Sequence, residues 1–183
     1  MTQVLTRHIV LIGMMGAGKT AIGSELARRL RVPFTDSDAE IEAAAAMSIS
    51  EIFARDGEAF FRAREAQVLS RLLAGAPGVV STGGGAWMRP ENRQIIGERG
   101  LSVWLNCSPE TLWARVRQRP TRPLLQTADP KGTLLRLLAE RSPVYALADL
   151  EFVSRAGDTI EATATRLIAE LTAAHPTLTQ EKP

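Results

Sequence analysis

The sequence predicts an α/β fold, a three-layer sandwich in which a five-stranded parallel sheet carries helices on both faces, and three observations carry that expectation. Short apolar strands alternate with amphipathic helices along the chain, the pattern of parallel strands joined by crossover helices. The apolar run Ile9-Val10-Leu11-Ile12 leads straight into Gly13-Met14-Met15-Gly16-Ala17-Gly18-Lys19-Thr20, a Gly-x-x-x-x-Gly-Lys-Thr signature placed where a strand turns into a helix. The chain has 183 residues, 45% of them apolar, enough to bury one sizeable core in a single compact domain with insertions.

Each element follows from local pattern. Residues 9–12 are apolar throughout, as a strand covered on both faces requires. Over residues 20–30, Ile22, Leu26 and Leu30 recur on one face at helical spacing, and Val32-Pro33-Phe34 starts an extended segment that ends at Asp36. Ser48 and Glu51 have capping-box spacing ahead of Ile52-Phe53. Gly57 is the expected stop of that helix, before a longer one with Phe61, Val68, Leu69, Leu72 and Leu73 inward. Val79-Val80-Ser81 reads as a strand that runs into Gly83-Gly84-Gly85. Residues 91–99 form a helix closed by Gly100, residues 102–105 a strand, and Ser108-Pro109 a helix start. Residues 115–130 break the pattern with Arg115, Arg117, Arg119 and Arg122 among Pro120, Pro123 and Pro130, poor core material but suited to a lid beside phosphates. Residues 131–141 are helical and 150–153 a strand. Asp158 and Glu161 are expected to cap a last amphipathic helix carrying Ile160, Leu167, Ile168 and Leu171. The expected domain is 1–174, with a helical insertion at about 37–65, a lid at about 115–130 and a disordered tail over 175–183.

Composition narrows the function classes. Lys and Arg number 22 against 20 acidic residues, a net charge of +2. The pI of about 9.1 therefore reflects near balance, and nucleic-acid binding has no compositional support. The single Cys107 excludes an intramolecular disulfide framework and a cysteine metal cluster, fits a reducing compartment, and is expected to pack as a small hydrophobe. Residues 1–7 carry no long apolar segment and no run approaches the roughly 18 apolar residues of a membrane span. A cytoplasmic protein with no membrane partner is the expectation.

The Gly-Lys-Thr signature points to a phosphate-binding loop. Its glycines let successive backbone N–H groups close around a polyphosphate, Lys19 reaches the β and γ oxygens, and the Thr20 hydroxyl is placed to ligate Mg²⁺. The helix that follows adds its N-terminal dipole. A dinucleotide fold read from Gly16-x-Gly18-x-x-Ala21 is the weaker reading, because Lys19-Thr20 is what a triphosphate site needs. Asp36 and Asp38 stand two apart at a strand end, so in an extended chain both carboxylates face the edge where the phosphate loop lies, one for metal and one for substrate. Three consecutive glycines at another strand end permit close backbone approach to a ligand. Arg62 and Arg141, each on a helix, would by themselves be read as solvated arginines.

Taken together, the phosphate loop, Asp36-Ser-Asp38, Ile52-Phe53 with Gly57-Glu58 and Phe61-Arg62, Gly83-Gly-Gly85, Arg122-Pro-Leu-Leu125 and Arg141-Ser-Pro-Val-Tyr145 have the order and spacing of the shikimate kinases, which the chain resembles over roughly residues 8–170. The resemblance implies a nucleoside-monophosphate-kinase-like P-loop fold, a monomer, and ATP-dependent phosphorylation of the 3-hydroxyl of shikimate on the route to chorismate, with Mg²⁺ as cofactor. Position by position it implies that Gly16, Ala17, Gly18, Lys19, Thr20 and Ala21 bind ATP, with Thr20 on Mg²⁺ and Asp36 in its outer shell. Asp38 would hold a shikimate hydroxyl and act as, or position, the base. Arg62 and Arg141 would take the substrate carboxylate, to which a guanidinium fork is matched. Gly84 would present backbone to the substrate ring, Arg122 would meet ATP phosphates, and Arg115 would lie near the adenine. Ala21 stands where many relatives carry a second hydroxyl residue, so one contact to the α-phosphate is missing.

Three other readings remain distinct. A kinase for another polyol or acid, such as gluconate, would share the phosphate loop without needing the Asp36, Asp38 and Arg62 set. A GTPase would explain Asp129-Pro-Lys-Gly132 as Asp-x-x-Gly, but no Asn-Lys-x-Asp guanine-reading motif accompanies it. A catalytically silent regulator would be expected to have lost the aspartate or the arginines.

Overall fold

The computed structural model describes residues 2–119 and 123–182. Strand β1 spans Thr2–Leu5 and β2 His8–Ile12. Every residue of β2 is buried, because it is the central strand of a five-stranded sheet. Its parallel neighbours are β4, Val79–Ser81, and β5, Gly100–Asn106; β3, Phe34–Asp36, lies outside β4 and β6, Leu150–Val153, outside β5. The order is thus β3-β4-β2-β5-β6, all parallel. Because the chain leaves β2 toward β3 and later returns to β5 on the other side, loops at the carboxyl end of β2 flank a crevice, the usual ligand position in such sheets.

Helix α1, Lys19–Leu30, packs with α7, Ile160–Ala174. Helix α4, Pro90–Arg99, covers β5 and packs on α3, Ile49–Leu73. Helix α5, Pro109–Val116, and α6, Pro130–Tyr145, complete the layers. Cys107 is buried, as a small hydrophobe would be. A second, smaller core of Ile41, Ile52, Phe61 and Val68 holds α2, Ser37–Ala45, against α3. Those two helices form the insertion between β3 and β4. The Ser48–Glu51 capping box starts α3 as the sequence suggests, and Gly57, whose backbone is not helical, ends the first helical segment where the sequence places a stop. At φ 84° and ψ 171° it kinks α3, which then runs on to Leu73.

Three expectations are corrected. Asp158 does not cap α7; Thr159 does, accepting from the Ala162 N–H, while Asp158 lies 3.4 Å from Arg166. Ile160, at the first turn, stays exposed instead of joining the buried face. Of the tail expected to be disordered over 175–183, the described residues are ordered: Pro176–Leu178 form a 3-10 turn, and β7, Thr179–Lys182, pairs antiparallel with β1. Leu5 and Leu178, both buried, anchor the two ends in the main core. Two four-residue segments of mostly polar sequence give no strand signal until each supplies the other's hydrogen bonds.

Candidate active site

The phosphate loop joins β2 to α1. Gly16 and Gly18 adopt φ of 82° and 90°, the left-handed region that a side chain would resist. The Lys19 side chain is tucked in, its Nζ donating to the carbonyls of Gly13 and Met14 at 2.9 Å each. Thr20 Oγ1 donates to Asp36 Oδ2 at 2.8 Å. Asp36 ends β3 and caps α2, its Oδ1 accepting from the N–H groups of Asp38 at 3.0 Å and Ala39 at 3.3 Å. An open cavity of about 520 Å³ adjoins this loop, lined on one wall by Gly16, Gly18, Lys19, Thr20 and Ala21, on another by Asp36, Asp38, Thr82 and Gly84, and at the rim by Arg115 and Arg119. That volume suits a nucleotide with a small second substrate. Ala17 lies apart, fully buried, its N–H donating to the Met14 carbonyl. Arg115 belongs to the last turn of α5, not to a loop, and donates from Nη1 to the Gly16 carbonyl at 3.0 Å. Arg122 lies outside the described residues.

The acceptor side is built from α2, α3, α6 and the turn after β4. Asp38 is not in an extended segment, as the two-residue spacing suggested, but in the first turn of α2. It still faces the cavity beside Asp36, because the N-cap and the first helical turn lie at the same helix end. Asp38 Oδ1 is buried with no hydrogen-bond partner among the described residues. Burial, the Asp36 carboxylate and then that of Glu65 push the Asp38 carboxyl up to about 6, with Lys19 opposing. Arg62 Nη1 donates to both Glu65 oxygens at 3.0 and 2.9 Å, and Nη2 reaches Glu58 at 3.4 Å. Glu65 is 1% exposed, and burial raises its carboxyl while the adjacent Arg62 opposes. Arg141 Nη1, on α6, is buried without a hydrogen-bond partner among the described residues.

Thr82 ties the start of the triple-glycine turn to β2, just before the phosphate loop, donating from Oγ1 to the Leu11 carbonyl at 3.0 Å. Tyr145, fully buried and stacked on Trp104 at 5.9 Å, donates its hydroxyl to the Gly84 carbonyl. Arg62 and Arg141 do not line the cavity; they stand beyond Gly85 and Gly84. Glu65 and Tyr145 were not singled out as site residues from the sequence. The Arg62-x-x-Glu65 spacing is a visible helical ion-pair signal, but such pairs are common on exposed faces and only the fold buries this one. Asp129, the GTPase-like aspartate, accepts from the Gly132 N–H and simply caps α6.

A phosphate cradle at the end of the central strand, a buried aspartate across the cavity and arginines behind it define a P-loop kinase of a small molecule. The shikimate kinase family model matches residues 15–172. A shikimate kinase of Ruegeria pomeroyi is 58% identical over 167 residues, 91% of this chain and 86% of that protein. Among solved structures, a shikimate kinase from Acinetobacter baumannii in complex with shikimate superposes with a TM-score of 0.87 at 35% identity, covering 92% of this chain and 94% of that one. The shikimate kinase from Aquifex aeolicus gives 0.79 at 32%, covering 93% and 99%. The chain belongs to the shikimate kinase family. Its reaction is accordingly ATP-dependent phosphorylation of the 3-hydroxyl of shikimate, giving shikimate 3-phosphate and ADP.

Proposed function

We propose that Asp38 is the base of this reaction. The observation that carries the reading is its buried, unpartnered Oδ1 in the same cavity as Lys19 and Thr20. The 3-hydroxyl oxygen of shikimate attacks the γ-phosphorus, its proton passes to Asp38, and the bond to the β,γ-bridging oxygen breaks to release ADP. A carboxyl poised at about 6 is ionised at neutral pH yet basic enough to take that proton. Arg62 and Arg141 hold the shikimate carboxylate. Gly84, whose carbonyl is taken by Tyr145, offers its N–H to the substrate ring. Ala17, expected from the sequence to bind ATP, spends its N–H on the Met14 carbonyl and shapes the loop, while the N–H groups of Gly16, Gly18 and Ala21 and the Lys19 ammonium take the phosphates. Arg122 joins them by the family pattern, and Arg115 lies toward the adenine.

The donor set fits Mg²⁺. Thr20 and Asp36 present hard oxygens within 2.8 Å of each other at the cavity wall. Among the described residues no group of three His, Cys, Asp or Glu forms a cage, which suits an ion that is held mainly by phosphates and water. Mg²⁺ bound there would neutralise charge on the β and γ phosphates. The residues from 1 to 174 act as one domain, with the insertion at about 37–65 for shikimate and the segment at about 115–130 closing over ATP. The protein works as a monomer in the cytoplasm; among the described residues no helix is long and apolar enough to cross a membrane. Coupled ADP release with and without shikimate tests the reading. Shikimate-dependent release of ADP together with shikimate 3-phosphate is the expected outcome, and equal release in both cases contradicts it.

A further inference from the structure

The three glycines after β4 have no conformational need to be glycine. None of Gly83, Gly84 and Gly85 has a φ in the left-handed region, and Gly85 sits at φ −95°, ψ −10°, where alanine is at ease. What excludes a side chain is what lies in its way. A Cβ on Gly83 would meet Asp38 Oδ1 at 2.7 Å. A Cβ on Gly85 would meet Arg62 Nη2 at 2.6 Å and Nη1 at 2.8 Å. A Cβ on Gly84 would stand 3.3 Å from Arg141 Nη1, close but not overlapping. Each glycine thus faces a different functional side chain, and neither overlap is with backbone.

We propose that Gly83 and Gly85 are positioning residues with separate duties: Gly83 keeps open the space in which Asp38 meets the reacting hydroxyl, and Gly85 the space in which Arg62 meets the substrate carboxylate. This rests on the roles given above to Asp38 and Arg62. A methyl at 83 cannot be absorbed by a long flexible chain, because the aspartate is short and fixed to the first turn of α2. A methyl at 85 swings a guanidinium that is also held by the buried Glu65, so it displaces Arg62 and loosens that ion pair together. Tyr145 keeps the middle of the turn in place through the Gly84 carbonyl, so the turn does not simply back away.

The test is a split between turnover and affinity, read in single and double variants. Gly83→Ala lowers kcat by about 100-fold, the cost of misplacing a reacting group by an ångström or so, with KM for shikimate within about threefold. Gly85→Ala raises KM for shikimate by about tenfold or more with kcat within about threefold. Both keep the affinity for ATP. In an Arg62→Ala background the atoms that the new methyl would meet are gone, so Gly85→Ala adds no further rise in KM. Should Gly85→Ala alone fold poorly, melting temperatures read the same contact: the single variant is lowered and the methyl costs nothing in the Arg62→Ala background, Glu65 being present in both. An equal rise in KM with and without Arg62, or the same kinetic profile for both glycine variants, overturns the proposal. An unchanged KM in Arg62→Ala itself overturns the carboxylate assignment and the proposal with it. A raised KM there, beside an unaffected Gly85→Ala, overturns the glycine proposal alone.

Discussion

On the phosphate side of the cavity Lys19 donates to two loop carbonyls and Thr20 to Asp36, which in turn caps α2; on the acceptor side Asp38 and Arg141 each bury a polar atom without a hydrogen-bond partner among the described residues. The first wall is satisfied by its own backbone and neighbours. The second holds Asp38, near the carboxylates of Asp36 and Glu65, in a place that disfavours its charge, and burial disfavours that of Glu65 as well. Backbone amides and a helix terminus recognise phosphate through geometry common to many folds. Recognition of one particular hydroxy acid needs buried charges, whose cost to the fold is offset only when a matching ligand pairs with them.

The contrast is most sharply broken at Asp38. Asp38→Asn keeps the shape and removes the proton acceptor, so turnover should fall by roughly 10²–10⁴ while ATP affinity stays within about threefold. Steady-state kinetics beside ATP titration check it; near-normal turnover would deny Asp38 its role. Next come the arginines. Arg62→Ala and Arg141→Ala should each cost about 2 kcal/mol or more in shikimate binding, roughly a 30-fold rise in KM. They should differ in stability: Arg62→Ala removes the hydrogen-bonded partner of the buried Glu65 and lowers the melting temperature, whereas Arg141→Ala removes a side chain whose buried Nη1 has no hydrogen-bond partner among the described residues and lowers it less.

A smaller effect separates stability from activity. The Asp38 carboxyl is raised in the folded protein from an ordinary value near 3.8 to about 6, so its ionisation opposes folding above pH 6 and that penalty fades as pH falls from about 6 to 4. Asp38→Asn should therefore melt a few degrees higher than the parent at pH 7, with the gain lost by pH 4. A lower melting temperature at pH 7 would mean that Asp38 holds the fold together. The smallest effect belongs to the phosphate wall, which is already satisfied: Ala21→Ser, at the cavity edge, should tighten ATP by about two- to tenfold, the worth of one added hydrogen bond. A change in shikimate affinity instead would cross the two halves.

The same contrast decides what the sequence made legible. The phosphate half is read directly, because a strand, glycines at fixed spacing and Lys19-Thr20 form one contiguous segment whose local geometry is dictated by its residues. The sheet followed too, since its central strands are short apolar runs and its edge strands carry apolar residues between clear helix and turn signals. Asp38, Arg62, Arg141 and the triple glycine come from four separate places, and only their resemblance to a family pattern linked them; nothing local says that Glu65 is buried against Arg62 or that Gly83 and Gly85 face side chains. The β1–β7 pair escaped for a related reason: neither short segment has meaning without the other.

The electrostatic strain on Asp38 is the centre of this account, and a ¹³C NMR titration of its carboxyl in the free enzyme, assigned by loss of the signal in Asp38→Asn, measures it directly. A midpoint near pH 6 is the expected result. A midpoint near pH 4, the ordinary aspartate value, would contradict it.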